Sequence, residues 1–196
     1  GDGVHRGAGP GRRTAMDGAN RAAGSQADVI GPGPAHTGAV GELAFRPATA
    51  ADVAAIARVV GQAYAMYIPR MGVKPAPMLA DYGALVDAGA VTVLEGDSGI
   101  EGALVMMEQD GHLFVENVAV SPSAQGRGLG RKLMAYAETV ARGRGLPEIR
   151  LYTNAKMTEN LAFYPKLGFV EEGRRTENGY DRVYFVKHLE GGANPA

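Results

Sequence analysis

Gly126, Gly128 and Gly130 alternate with Arg127, Leu129 and Arg131, and Lys132 follows them. The apolar residues Val118, Ala119 and Val120 lead into this run, and a helical apolar pattern leaves it. The first N–H groups of a helix have no partner within it, and the helix dipole favours negative charge there. Glycine removes the Cβ that would hold a ligand away from the main chain, and it permits angles other residues avoid. Such a turn suits a phosphate or pyrophosphate, with Arg127, Arg131 and Lys132 at the rim. It also suits an ordinary tight turn, and glycine spacing leaves both readings open. Two familiar phosphate loops fit poorly: GxxxxGK followed by Ser or Thr is absent, and GRGLGR supplies only part of GxGxxG.

Glu116 is the second chemical feature. It interrupts the apolar run LFVENVAV, and an acidic side chain in a central-strand pattern needs a partner, solvent or a task. It is the leading candidate for a general base. An ammonium contact or a structural carboxylate is the alternative, and a bulge would change the face it occupies. His112, at the start of the same run, is a weaker candidate. The four histidines are widely spaced without HExxH or cysteine, so no metal site is expected.

The elements that must position these residues read as alternating strands and helices. A short strand at 43–46 precedes a helix with apolar positions 53, 56, 59, 60, 63 and 64, which PRMGVKPAP interrupts. A second short helix closes at Gly89. Strands at AVTVLEG and IEGALVMMEQ flank the turn Asp97-Ser98-Gly99, and HLFVENVAV follows. Leu129, Leu133, Tyr136, Ala137, Val140 and Ala141 make the stripe of a long helix. Next come a strand at 148–153, a short helix closed at Gly168, and two strands joined through Asn178-Gly179. This order predicts a mixed α/β sheet with helices on both faces.

The sequence has 196 residues, 45% of them hydrophobic, with 20 basic and 21 acidic side chains. That balance gives no reason to expect nucleic acid or an anionic membrane as partner. The sequence has no cysteine, which excludes disulfides and a cysteine-bound intermediate. No apolar run approaches the roughly 18–20 residues that cross a bilayer, and the start lacks a secretory layout; a soluble, cytoplasmic protein is expected. Residues 1–41 hold 11 of the 29 glycines and no aromatic residue, which predicts a flexible Gly/Ala-rich tail. One domain is expected over 42–190, with a flexible end at 191–196.

VAVSPSAQGRGLGRKLM resembles the central signature of the Gcn5-related N-acetyltransferase (GNAT) superfamily, in which a hydrophobic strand is followed by Gln/Arg-x-x-Gly-x-Gly/Ala. The matching positions are Gln125, Gly128 and Gly130. NLAFYPKLGF resembles the family's following block through Asn160, Tyr164, Gly168 and Phe169. The resemblance covers roughly residues 43–189 and implies a mostly antiparallel sheet splayed between its two central strands.

It further implies acetyl-CoA as cofactor and a primary amine as acceptor, with a small molecule favoured over a protein tail. Backbone N–H groups of Gly126, Arg127, Gly128, Leu129, Gly130 and Arg131 would hold the pyrophosphate beside Gln125. Val118, Ala119 and Val120 would pair with the pantetheine arm. Direct transfer requires a deprotonated amine, a polarised carbonyl and a stabilised departing sulfur. By resemblance Tyr164 serves the sulfur, Asn160 contacts the cofactor, and an acidic strand residue, here Glu116, acts as base. Thr153 and Asn154 would lie near the divergence. The segment YAMYIPRMGVKPAPM would cover the acceptor, with Tyr64, Tyr67 and Met71 as wall and Arg70 and Lys74 as anion contacts. Arg175 or Tyr180 would reach in from the last hairpin. The family also implies a homodimer. A non-catalytic acyl-CoA sensor and a peptide N-acetyltransferase are the competing readings.

Overall fold

A computed structural model describes residues 43–190; the tails expected at 1–41 and 191–196 lie outside them. Seven strands form one sheet in the order β1-β2-β3-β4-β5-β7-β6. They are β1 (Ala44–Pro47), β2 (Val91–Gly96), β3 (Gly99–Gln109), β4 (His112–Val120), β5 (Glu148–Asn154), β6 (Val170–Glu177) and β7 (Tyr180–His188). Every neighbouring pair is antiparallel except β4 and β5.

The helices are α1 (Val53–Tyr64), α2 (Ile68–Met71), α3 (Tyr82–Asp87), α4 (Leu129–Gly143) and α5 (Thr158–Lys166). Ile56, Val59, Val60 and Tyr64 are the buried stripe of α1, and Leu129, Leu133, Met134, Ala137 and Ala141 that of α4. Both follow the spacing that puts one helix face on a sheet. Two apolar clusters result, one between the sheet and α4 and α5, the other between the sheet and α1 and α3.

One local expectation needs correction. The chain does not leave helical geometry at Pro69; it continues through a 3-10 turn at Ala65–Tyr67 into α2 and breaks at Gly72, φ 71°. Proline in the first turn of α2 lacks only an N–H that a helix start leaves unpaired anyway.

The sheet opens in its middle. β4 and β5 pair in parallel only at Leu113↔Ile149, Phe114↔Arg150 and Val115↔Leu151. At the same point the β3–β4 register shifts: Met106 opposes Val115 and Val105 opposes Asn117, leaving Glu116 as an extra residue. Such a bulge reverses the alternation of faces beyond it. Leu113 and Val115 join the cluster beneath α4, whereas Ala119 joins the one beneath α1. Glu116 and Asn117 are consecutive, and both side chains line the cleft on the α1 and α3 side.

The first helical turn is held by charge. Asp52 accepts from Arg46 at 2.7 and 3.0 Å and from the Thr49 N–H at 2.8 Å. The Arg46 guanidinium holds its carboxyl down at about 2. A lowered folded-state pKa contributes stability above the unfolded value that disappears as pH falls through the folded one. Asp52→Asn is therefore expected to lower the unfolding free energy at pH 7 by roughly 1–3 kcal/mol. Urea titrations should show that deficit closing as pH falls from about 4 towards 2.

Candidate active site

Two hollows flank the opening between β4 and β5. The first, about 350 Å³, lies between the sheet, α3 and the β6–β7 hairpin. The second, about 510 Å³ and shallower, runs beside α1, the end of β4 and the glycine turn. Tyr64, Val118, Asn160 and Tyr164 line both, so the hollows meet at those four residues.

A chain of hydrogen bonds holds the first hollow's shape. Tyr64 Oη donates to Asn117 Oδ1 at 2.7 Å, with the Val118 carbonyl a second acceptor at 3.2 Å. Asn117 Nδ2 donates to Tyr82 Oη at 3.0 Å, and Tyr82 Oη donates to Pro77 O at 2.6 Å. The buried amide of Asn117, 4% exposed, thus ties the strand beyond the bulge to α1 and α3. Beside it, no hydrogen bond or ion pair reaches the Glu116 carboxylate among the described residues. Burial pushes that carboxyl above its usual range, since loss of water penalises the charged form.

Tyr164 is buried where the two hollows meet. Its ring packs on Phe163, Phe169 and Phe185, with centroids 5.2–5.7 Å away. Burial raises its phenol above the ordinary tyrosine range, so the proton stays on oxygen at neutral pH. One helical turn earlier, Asn160 Nδ2 donates to Thr153 Oγ1 at 3.1 Å.

The glycine turn opens α4 without a side-chain cap. Gly126 and Gly128 have φ of 82° and 73°, the left-handed region that glycine enters without a Cβ penalty. No atom lies within 4 Å of where a Cβ would stand on either residue. The main chain there is approachable, and the α4 N–H groups lack a capping partner. Among the described residues no ion pair engages Arg131 or Lys132, while Arg127 pairs with Glu101 at 2.9 Å. An uncapped helix start, bare backbone and nearby cations fit a diphosphate.

The sequence candidates divide by position. Val118, Ala119, Val120, Gln125, Gly126 and Gly130 line the second hollow. Arg127, Gly128 and Arg131 sit in the same turn outside its wall, and the Leu129 side chain points into the core at 2% exposure. On the acceptor side, Met71, Thr153 and Asn154 join Tyr64 in the first hollow, and Tyr67 lines the second. Arg70 is in neither. Its guanidinium makes two 2.7 Å bonds to Glu159 on α5 and lies 5.3 Å over the Tyr67 ring. Lys74 also stands outside; its carbonyl accepts from Tyr180 Oη, and Tyr180 is in the wall. Arg175 lies over the Tyr184 ring at 4.2 Å. His112 borders neither hollow.

Sequence reasoning missed Asn117 as an anchor, together with Tyr82, Tyr152 and Arg182 in the first hollow. For Asn117 the signal was present: a second polar residue directly after Glu116 breaks the alternation of the strand.

Residues 87–171 match the family model described as an acetyltransferase (GNAT) domain. IAA acetyltransferase of Azospirillum brasilense is 33% identical over 72 residues, 37% of this chain and 47% of its own length. A mycothiol acetyltransferase of a Nocardioides species is 38% identical over 72 residues, 37% of this chain and 24% of its own. N-alpha-acetyltransferase 80 of Mus musculus is 37% identical over 81 residues, 41% and 24% respectively. The chain spans less than half the length of these relatives. The solved paia N-acetyltransferase of Thermoplasma acidophilum, in complex with coenzyme A, has the same fold: the TM-score is 0.63 at 15% identity, over 76% of this chain and 99% of that one. The matched segment runs from the end of α3 into β6 and contains the bulge, the glycine turn and α5. Residues 87–171 thus carry the match to a GNAT acetyltransferase domain, and the fold around them is that of a solved N-acetyltransferase.

Proposed function

We propose that the chain transfers an acetyl group from acetyl-CoA directly to a primary amine of a small molecule. The observation that carries this reading is the meeting of two hollows at Tyr64, Val118, Asn160 and Tyr164, beside an interrupted strand pair. One hollow ends on a diphosphate-suited turn and the other holds a lone carboxylate.

Bound along β4, acetyl-CoA supplies an activated thioester. The main chain of Gly126–Arg131 would hold its diphosphate, and Val118–Val120 its pantetheine arm. Glu116 would take the proton from the amine, directly or through water. An alkyl amine near pKa 10.4 is neutral in only about one molecule in 10³ at pH 7, so a positioned base matters. A carboxyl raised by burial is a better proton acceptor than an ordinary one. Tyr164 keeps its proton and can donate it towards sulfur. With no cysteine in the sequence, a cysteinyl acyl-enzyme does not arise. A homodimer belongs to the same reading, with the outer edge of β6 as a surface able to pair.

Three substitutions test these roles. Tyr164→Phe should lower kcat by roughly 10²-fold with little change in KM for acetyl-CoA; a loss confined to cofactor affinity contradicts the acid role. Gly128→Val places a β-branched residue at φ 73° and should weaken acetyl-CoA binding about tenfold or more by calorimetry. Glu116→Gln should lower kcat and also raise the melting temperature at pH 8. The folded-state pKa of Glu116 is raised, so its stability cost appears as pH rises through that value and is absent below the unfolded one. The gain in melting temperature should therefore vanish near pH 4, at about the unfolded carboxyl pKa.

A further inference from the structure

We infer that the acceptor is a monocationic primary amine with a compact apolar body, about the size of an arylethylamine. This rests on the acetyl-transfer reading and concerns the first hollow.

The charge there is simple. Among the described residues, Glu116 and Arg182 are the only carboxylate and the only cationic side chain in its wall. Arg182 is committed already: it donates to Glu177 at 2.9 Å and lies 4.3 Å over the Tyr152 ring, with its side chain 8% exposed. Among the described residues Glu116 has no such partner. One uncompensated carboxylate matches one ammonium. A second ammonium on the acceptor would leave water with nothing to pair with, and an acceptor carboxylate would meet an arginine that is already paired.

The remaining wall is largely apolar or internally satisfied. Met71, Pro77, Leu79, Leu85, Tyr152 and Met157 supply the apolar surface. Asn117 is used by Tyr64 and Tyr82, Thr153 by Asn160, and the Asn154 Oδ1 by the Lys156 N–H at 2.9 Å. Among the described residues, Asn178 at the hairpin turn adds a side-chain amide without such a partner; a hydroxyl-rich or peptide-like acceptor would find few others.

Size is limited by two straps. Tyr180 Oη donates to Lys74 O at 3.0 Å, joining the β6–β7 hairpin to the segment after α2. The Arg70–Glu159 pair joins α2 to α5. Together they hold both ends of the segment 70–74, which carries Met71. The hollow's volume of about 350 Å³ sits near the lower end of the roughly 300–1,000 Å³ typical of ligand pockets.

The test measures thiol release at saturating acetyl-CoA with 2-phenylethylamine, L-phenylalanine, 1,4-diaminobutane and the tripeptide Ala-Ala-Ala. The expected result is a kcat/KM for 2-phenylethylamine at least about tenfold above each of the others. Turnover with another of the four ranked first overturns this inference and leaves acetyl transfer standing. Acetyl-CoA binding with no thiol release from any amine overturns both. Leu79→Glu, at a wall position 65% exposed and so tolerant of charge, adds a second carboxylate. It should raise the preference for 1,4-diaminobutane over 2-phenylethylamine by about tenfold. An unchanged preference in a variant with native circular dichroism contradicts the charge argument.

Discussion

A parallel strand pair that stops after three residue pairs is the constraint on which the rest depends. Buried backbone N–H and C=O groups are almost always paired, so two central strands do not separate without something holding them apart. Here the bulge at Glu116 turns β4, and Asn117 fastens the turned strand to Tyr64 and Tyr82. The free edges face a space lined from both sides. An extended ligand carrying amides is the natural occupant, because it can take up the pairing that β5 gives up.

The bulge also brings a charge into the cleft. In an unbroken strand, Glu116 and Asn117 would face opposite sides of the sheet. The extra residue sends both to the α1 and α3 side, one as an anchor with every polar atom used, the other as a carboxylate without a partner among the described residues. A half-buried, unpaired acid reduces stability and gains proton affinity together. The same displacement thus explains the shape of the opening and the chemistry beside it.

Much of this was legible in the chain itself. Helix stripes, the hairpin at Asp97-Ser98-Gly99 and the order of strands follow from local periodicity and turn chemistry, and the structure places them where the pattern does. The glycine turn was legible because positive φ leaves a compositional trace. Arg70 was not: a basic residue near a cleft looks the same in sequence whether it meets a ligand or, as here, Glu159, 89 positions away. Tyr82 and Arg182 were invisible for a related reason, since their places depend on which strand and helix ends converge. The break in alternation at Glu116-Asn117 sits between these cases. It announced a bulge without telling which way the acid would point.

The most direct measurement is a crystal structure of the protein grown with coenzyme A. The account requires continuous density with the diphosphate on the main chain of residues 126–131 and the pantetheine arm beside Val118–Val120, its sulfur reaching Tyr164. Coenzyme bound elsewhere, or β4 and β5 found zipped together past Val115 and Leu151, would contradict it.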